Sequence, residues 1–393
     1  MSKKLQGRAH LPIVIFTTIL TFSALYAPQP LLPLFVRELG VTQAQASLMT
    51  TVIFVPLSIA PLAYGLLLGS VTPKRMLQVA VFLLALAELP FLFSSSFSLL
   101  LGARLFQGML VPAILTALMT YTAQASAKGE LQRSMSIYIA ATIFGGFSGR
   151  AVSGALASLL GWRSAFLVLL ISLLLAGWAL RYLPQEGQLK LLQPRPGMLL
   201  EILRVRKLRI LYLTVFCLFL VFAGMMNFLP FRLSELNQHA SEMGTGLLYT
   251  GYLCGLLTAL GSGHVVGFFG GDLRTIRFGL VTFLLVLVGF GFCGEVGLYG
   301  LMFVFCAAMF LVHATCSALL NRIGGEYKGV VNGLYVAFYY AGGMVGSFFP
   351  GVVYRQWGWS AFVLVLALVL LLSLALLIRL PNGTEESFKP LGG

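Results

Sequence analysis

Long apolar runs separated by short polar or Gly/Pro breaks fill this chain from end to end. Runs of roughly 18 or more such residues are long enough to cross a hydrocarbon core of about 30 Å as helices. Strands of an outer-membrane barrel would alternate apolar and polar residues, and residues 166–180, FLVLLISLLLAGWAL, do not. The breaks predict spans at 11–36, 45–70, 75–96, 98–123, 133–160, 163–183, 208–233, 244–270, 275–296, 297–321, 330–354 and 358–380. The first span is too long for a secretory signal, and no small-residue cleavage site follows it. The pattern therefore predicts an all-α membrane protein of twelve transmembrane helices.

Composition agrees. Of 393 residues, 59% are hydrophobic and 10% charged, with mean hydropathy +0.93. A soluble domain carries about 25% charged residues. The net charge of +14 would suit a nucleic-acid partner, but its placement argues for a membrane instead. Of 26 Lys and Arg, four (Arg37, Arg163, Arg232, Arg355) fall in loops or at span ends on one side and two (Arg104, Arg150) deep within spans, leaving 20 in segments or at span ends on the other side. That bias sets both termini in the cytoplasm. The basic segment 185–207, with Pro194 and Pro196, is expected to join two domains, 1–184 and 208–393, and to lie against anionic lipid headgroups. The five cysteines form no CxxC pair and read as small packing residues.

An internal repeat of 197 residues supports two halves of one plan. Residues 138–154, YIAATIFGGFSGRAVSG, align with 335–351, YVAFYYAGGMVGSFFPG. Gly145, Gly146 and Gly149 match Gly342, Gly343 and Gly346. Gly161-Trp162 match Gly358-Trp359, Leu183-Pro184 match Leu380-Pro381, and Pro33 matches Pro230. Six helices per half give both halves the same topology, so two six-helix bundles related by a pseudo-two-fold axis along the membrane normal are expected. The glycines are candidates for close helix packing and conformational change.

The repeat, together with Arg104-Leu-Phe-Gln-Gly108, resembles the major facilitator superfamily and its RxxQG motif. Three segments resemble the YnfM-like branch of efflux permeases: Leu25-Tyr-Ala-Pro-Gln-Pro-Leu-Leu-Pro33, Gly145-Gly-Phe-Ser-Gly-Arg150, and the stretch around His313. The resemblance implies a secondary transporter of the bacterial inner membrane, with the first, fourth, seventh and tenth spans lining a central cavity. One departure stands out. The superfamily's loop motif between the second and third spans corresponds to Gly65-Leu-Leu-Leu-Gly-Ser-Val-Thr-Pro-Lys74, followed by Arg75. Gly65 and Lys74 remain, but Gly69 stands where the usual acid would be.

Charges inside spans are the informative residues, since each costs about 2.5–3.5 kcal/mol on insertion scales. Of 12 acidic residues, Glu88 alone lies deep within a predicted span, the others falling in loops, at span edges or in the tail. At 1.5 Å per residue it lies about 20 Å from the cytoplasmic end of the third span, at a height similar to Arg104 on the fourth. Two readings stand: a proton-carrying carboxyl tuned by an arginine, or a static ion pair. Arg150 either receives an anionic group of the substrate through its guanidinium or bonds to carbonyls among the glycines. His313 either exchanges a proton or is a hydrogen-bonded packing residue. Tyr26, Gln29, Gln107 and Asn227 are the polar groups expected to touch substrate. With few fixed charges, the cavity suits a weakly polar or amphipathic solute.

The reading is a proton-driven exporter of a small organic molecule, working as a monomer without cofactor or metal. Uptake with protons by the same fold is the nearest alternative. No P-loop is present to couple ATP. An enzyme would need a nucleophile–base or metal cluster, and the four histidines are not grouped with acids. The charge bias makes one direct prediction. In a cysteine-free background, single cysteines at Ser2 and within 190–200 are shielded from an impermeant external thiol reagent, and one at Asn237 reacts. Labelling of Ser2 from outside would reverse the orientation.

Overall fold

The computed structural model describes residues 3–67, 71–126, 130–184 and 197–381 of the chain. Every regular element among them is helical. α1 (Lys3–Tyr26) stops before Pro28 and, after a 3-10 turn at Gln29–Leu31, continues as α2 (Leu32–Leu39). α3 (Gln43–Leu67) follows, then α4 (Pro73–Leu86), which is interrupted at Ala87–Glu88 before α5 (Leu89–Phe93). α6 (Phe97–Ala125), α7 (Leu131–Leu160) and α8 (Trp162–Ala179) complete the N-terminal half. The C-terminal half comprises α9 (Met198–Arg204), α10 (Arg206–Leu236), α11 (Glu242–Leu247), α12 (Gly251–Phe269), α13 (Asp272–Gly289), α14 (Glu295–Gly324) and α15 (Lys328–Ile378).

Among the described residues, ten stretches are long and apolar enough to cross a membrane. The tenth, Gly329–Ile378, contains the last two predicted spans, which meet at Gly358 with φ +78°. The ninth predicted span is α13, 18 residues long, and Asp272, Arg274 and Arg277 at its start lower its hydropathy. The protein is thus a multi-pass membrane protein with ten to twelve apolar helices. Large apolar side chains face outward, among them Phe93, Leu159, Phe268, Phe292 and Val296. In water they would be a liability; in lipid they are the contact surface.

The chain forms two compact units: the N-terminal half together with Gln238–Thr250, and the rest. In the first unit α7 packs on α1 through its glycines. A Cβ on Gly145 would lie 2.7 Å from the Ile19 carbonyl oxygen, and one on Gly149 2.5 Å from Ser23 Cα. Ser23 Oγ reinforces the joint by donating to the Gly145 carbonyl at 3.2 Å. In the second unit α15 packs on α10 in the same way, with Gly342 against Phe216 and Gly346 against Leu220. Phe216 and Leu220 lie 197 positions after Ile19 and Ser23, so the sequence repeat is also a repeat of contacts.

The helix ends repeat too. Lys74 Nζ donates to the carbonyls of Arg181 and Leu183 at the end of α8, and Arg277 Nη2 donates to Leu380 at 2.6 Å. A cation at these C-terminal carbonyls satisfies orphan acceptors and complements the helix dipole. Lys74, in the motif whose acid is missing, thus has its partners beyond the end of α8. Arg75 is exposed, Gly65 lies within α3, and residues 68–70 of that motif are outside the described residues. Most of the basic linker, 185–196, and the tail from 382 are outside them as well. In the C-terminal half Asp272 pairs with Arg322 at the end of α14.

Overpacking makes the glycine joints testable. Gly149→Ala should destabilise the purified protein by about 1–3 kcal/mol. Gly102→Ala, where a Cβ would meet nothing within 4 Å, should be neutral or slightly stabilising. Thermal unfolding in detergent compares them, and equal behaviour would mean that the α1–α7 contact is loose.

Candidate functional site

Two of the membrane helices are broken by proline, and the broken ends define the site. Pro28 has no N–H to offer the Ala24 carbonyl four residues earlier, and the turn that follows frees further carbonyls of α1. In the apolar interior each must find another donor. Arg104 supplies two. Its Nη1 donates to the Ala24 carbonyl at 2.9 Å and its Nη2 to Leu25 at 2.6 Å. Its Nε reaches across to the Met49 carbonyl on α3 at 2.8 Å. Ser153 Oγ of α7 takes the Ala27 carbonyl at 2.8 Å.

The second break lies at Ala87–Glu88, ahead of Pro90. The Phe91 N–H bonds to the Glu88 carbonyl instead of reaching back to Ala87. Gln107, one turn after Arg104 on α6, fills the gap by donating Nε2 to the Ala87 carbonyl at 3.2 Å. Its Oε1 accepts from Arg104 Nη1 at 2.6 Å, so one side-chain pair holds both broken helices. Gly108 completes the motif: a Cβ there would lie 2.8 Å from the Ile53 carbonyl oxygen, so α6 can approach α3 closely enough for Arg104 to reach Met49.

Glu88 is fully buried, and neither carboxylate oxygen has a hydrogen-bond partner. The expected ion pair with Arg104 is not formed directly. The arginine is near enough for its field to reach the carboxyl, but its donors are committed to carbonyls and Gln107. An ionised carboxylate without donors costs several kcal/mol in an apolar interior, so this arrangement suits the neutral acid. The carboxyl and guanidinium are therefore close, separately housed, and able to interact more strongly if either moves.

A second cluster forms beyond the break in α1. Gln29, in the 3-10 turn, accepts from Arg150 Nε at 2.6 Å, and Arg150 Nη1 donates to the Gly146 carbonyl at 2.5 Å. The guanidinium carbon lies 4.0 Å from the centre of the Tyr26 ring and 4.9 Å from that of Tyr249. Tyr26, Gln29 and Arg150 are thus brought together, and the carbonyls of Ala24 and Leu25 place this cluster directly beside the Arg104 cluster in the chain.

The other candidates belong to the second unit. Asn227 is buried on α10 and donates Nδ2 to the Ser347 carbonyl of α15 at 2.8 Å. Ser347 is the repeat counterpart of Arg150. His313 is half-buried on α14, with Nδ1 2.6 Å from the Tyr335 hydroxyl. Its ring lies 4.9 Å from Tyr339, which in turn stacks on Phe219 at 3.8 Å. Gly343 leaves room for the Phe219 ring. His313 is therefore built into an aromatic stack by a hydroxyl partner.

Sequence reasoning missed Tyr249, Tyr335 and Ser153. Tyr249 and Ser153 act through long-range packing that no local pattern displays. The role of Arg104 as a carbonyl donor did have a signal in Pro28, whose missing N–H announces an unpaired carbonyl at Ala24, four residues upstream.

Comparison with known proteins fits this architecture. A profile of the Major Facilitator Superfamily matches residues 14–324. The inner membrane transport protein YnfM of Escherichia coli K12 is 27% identical over 369 residues, covering 88% of this chain and 86% of its own. The uncharacterized MFS-type transporter YybF of Bacillus subtilis is 27% identical over 381 residues, covering 93% of each chain. A crystal structure of a mutant of the nucleoside transporter NupG superposes with TM-score 0.78 over 96% of this chain and 99% of that one, at 13% identity. That likeness is one of fold. The chain is a transporter rather than an enzyme, and it belongs to the major facilitator superfamily.

Proposed function

We propose that this protein is a proton-driven exporter of a small organic solute in the bacterial inner membrane, with Glu88 as the proton carrier. The observation that carries the reading is the Glu88 carboxyl: fully buried, with both oxygens unpartnered, near an arginine held by other acceptors. A group housed this way is stable as the acid and becomes stable as the anion once water or Arg104 turns towards it. A proton carrier in an alternating-access cycle needs that two-state property. Two six-helix bundles related by an axis along the membrane normal would supply the alternating access.

Arg104 and Gln107 link this chemistry to the backbone. If Glu88 loses its proton, its charge draws on the same guanidinium that holds the Ala24 and Leu25 carbonyls. The broken end of α1 is then less firmly held; Tyr26 is its last residue and Gln29 lies just beyond it. Proton release is thereby felt where Gln29 meets Arg150. Export follows if protonation from outside and solute release to outside alternate on this one element. Uptake would use the same parts with proton and solute moving together.

The test begins with a solute identified by screening deletion and overexpression strains for altered metabolite and drug susceptibility. In proteoliposomes with an imposed pH gradient, Glu88→Gln should abolish gradient-driven transport and keep solute exchange close to the wild-type rate. Exchange needs alternating access without net proton movement, so it separates coupling from folding. Gradient-driven transport by Glu88→Gln at the wild-type rate would remove Glu88 from the mechanism. Solute movement in the same direction as the protons would establish uptake in place of export.

A further inference from the structure

The repeat provides an internal control for Arg150. At the joint of α1 and α7 in the first unit, where Ser23 and Ser153 bond to carbonyls, Gln29 just past α1 also accepts from Arg150 at 2.6 Å. At the corresponding joint of the second unit, α10 and α15, the link is Asn227 to the Ser347 carbonyl, at 2.8 Å. Both joints are closed by glycines meeting backbone at the same 197-residue offset. One joint holds without a charge, so tight packing at this place in the fold does not require an arginine.

Retaining a guanidinium there is costly, since a charge within a membrane span is unfavourable. Its surroundings are specific in kind. Arg150 is 1% exposed, its Nε and Nη1 donate to neutral oxygens, and two tyrosine rings flank it at 4.0 and 4.9 Å. A guanidinium has five N–H donors and a planar fork that matches a carboxylate. The tyrosine faces offer apolar walls for the rest of a ligand.

We propose that Arg150, with Tyr26, Gln29 and Tyr249, is the site that recognises the carboxylate of an organic monocarboxylate whose apolar or aromatic body lies against the tyrosine rings. The proposal rests on the transport function above and names the class of its solute. Access runs through Tyr249. That ring is carried by Gln238–Thr250, which packs in the first unit: Met243 N donates to Ser158 Oγ at 2.8 Å, and Glu242 pairs with Arg37 at 2.7 Å. Gly154 fits against the Glu242 carbonyl and Gly246 against that of Arg150. A carboxylate reaches the guanidinium as Tyr249 turns off it.

Three probes of one shape and different charge test the site: benzoate, benzamide and benzylamine. Thermal unfolding of the purified full chain is followed as each is added, because a ligand that binds the folded state raises the midpoint. Benzoate should raise it, and the neutral amide and the amine should not. Arg150→Gln should weaken half-saturation by benzoate at least tenfold, and Arg150→Lys, which keeps the charge but loses the fork, should fall between. If Arg150→Gln does not fold, Tyr249→Ala, which removes one ring wall, should still weaken benzoate several-fold. Equal shifts from all three probes, no shift from benzoate in the wild type, or an undiminished benzoate shift in these variants would overturn the proposal. The shift is read at equilibrium without a gradient. A failed role for Glu88 therefore leaves it standing, and a missing shift leaves the Glu88 transport result standing.

Discussion

A peptide carbonyl inside a bilayer has no water to bond to, and that constraint organises this site. Continuous helices meet it on their own. The helix that begins the chain and the helix that carries Glu88 do not, because Pro28 and Pro90 remove donors where the backbone turns. Arg104 and Gln107 make up the deficit from a third helix, giving hydrogen bonds to Ala24, Leu25 and Ala87, and Arg104 also ties this site to Met49 of the unbroken α3. Hydrogen bonds from a charged donor contribute about 1.5–3 kcal/mol each, so the arginine is part of the scaffold as well as a charge.

Committing the arginine to carbonyls leaves the neighbouring carboxyl without a donor. Glu88 is consequently a buried acid with neither oxygen hydrogen-bonded. The same arrangement fixes the end of α1, from which Tyr26 and Gln29 reach Arg150. Backbone satisfaction, the proposed proton chemistry and the proposed solute site therefore share one set of hydrogen bonds. Substituting lysine for Arg104 would keep the charge and lose the reach, since an ammonium cannot serve acceptors on two helices with a rigid fork.

Much of this was legible in the residues. The apolar runs predicted the spans, and the break expected near 296 falls at 290–294, where α13 gives way to α14. The glycine register at 197 residues predicted equivalent joints, and the partners Ile19, Ser23, Phe216 and Leu220 keep that register too. Burial of Glu88, Arg104 and Arg150 also followed from their positions within spans. The pairing did not. Matched depth suggested that Glu88 and Arg104 would meet, but depth gives height along the membrane and nothing about the direction in which a side chain points. Tyr249 was invisible for a related reason, because its importance comes from the packing of Gln238–Thr250 on a helix about 90 residues earlier in the chain.

The central claim is that Arg104, committed to the broken end of α1, to α3 and to Gln107, leaves Glu88 as an isolated, protonated acid. Infrared difference spectroscopy between the wild type and Glu88→Gln at neutral pH tests it directly, because a protonated carboxyl and an ionised carboxylate absorb in separate regions. The account predicts that the substitution removes a high-frequency carbonyl band characteristic of a protonated acid without hydrogen-bond donors, and that this band is insensitive to hydrogen exchange on the surface. Loss of a carboxylate band instead would show that Glu88 is ionised and paired, and would contradict the account.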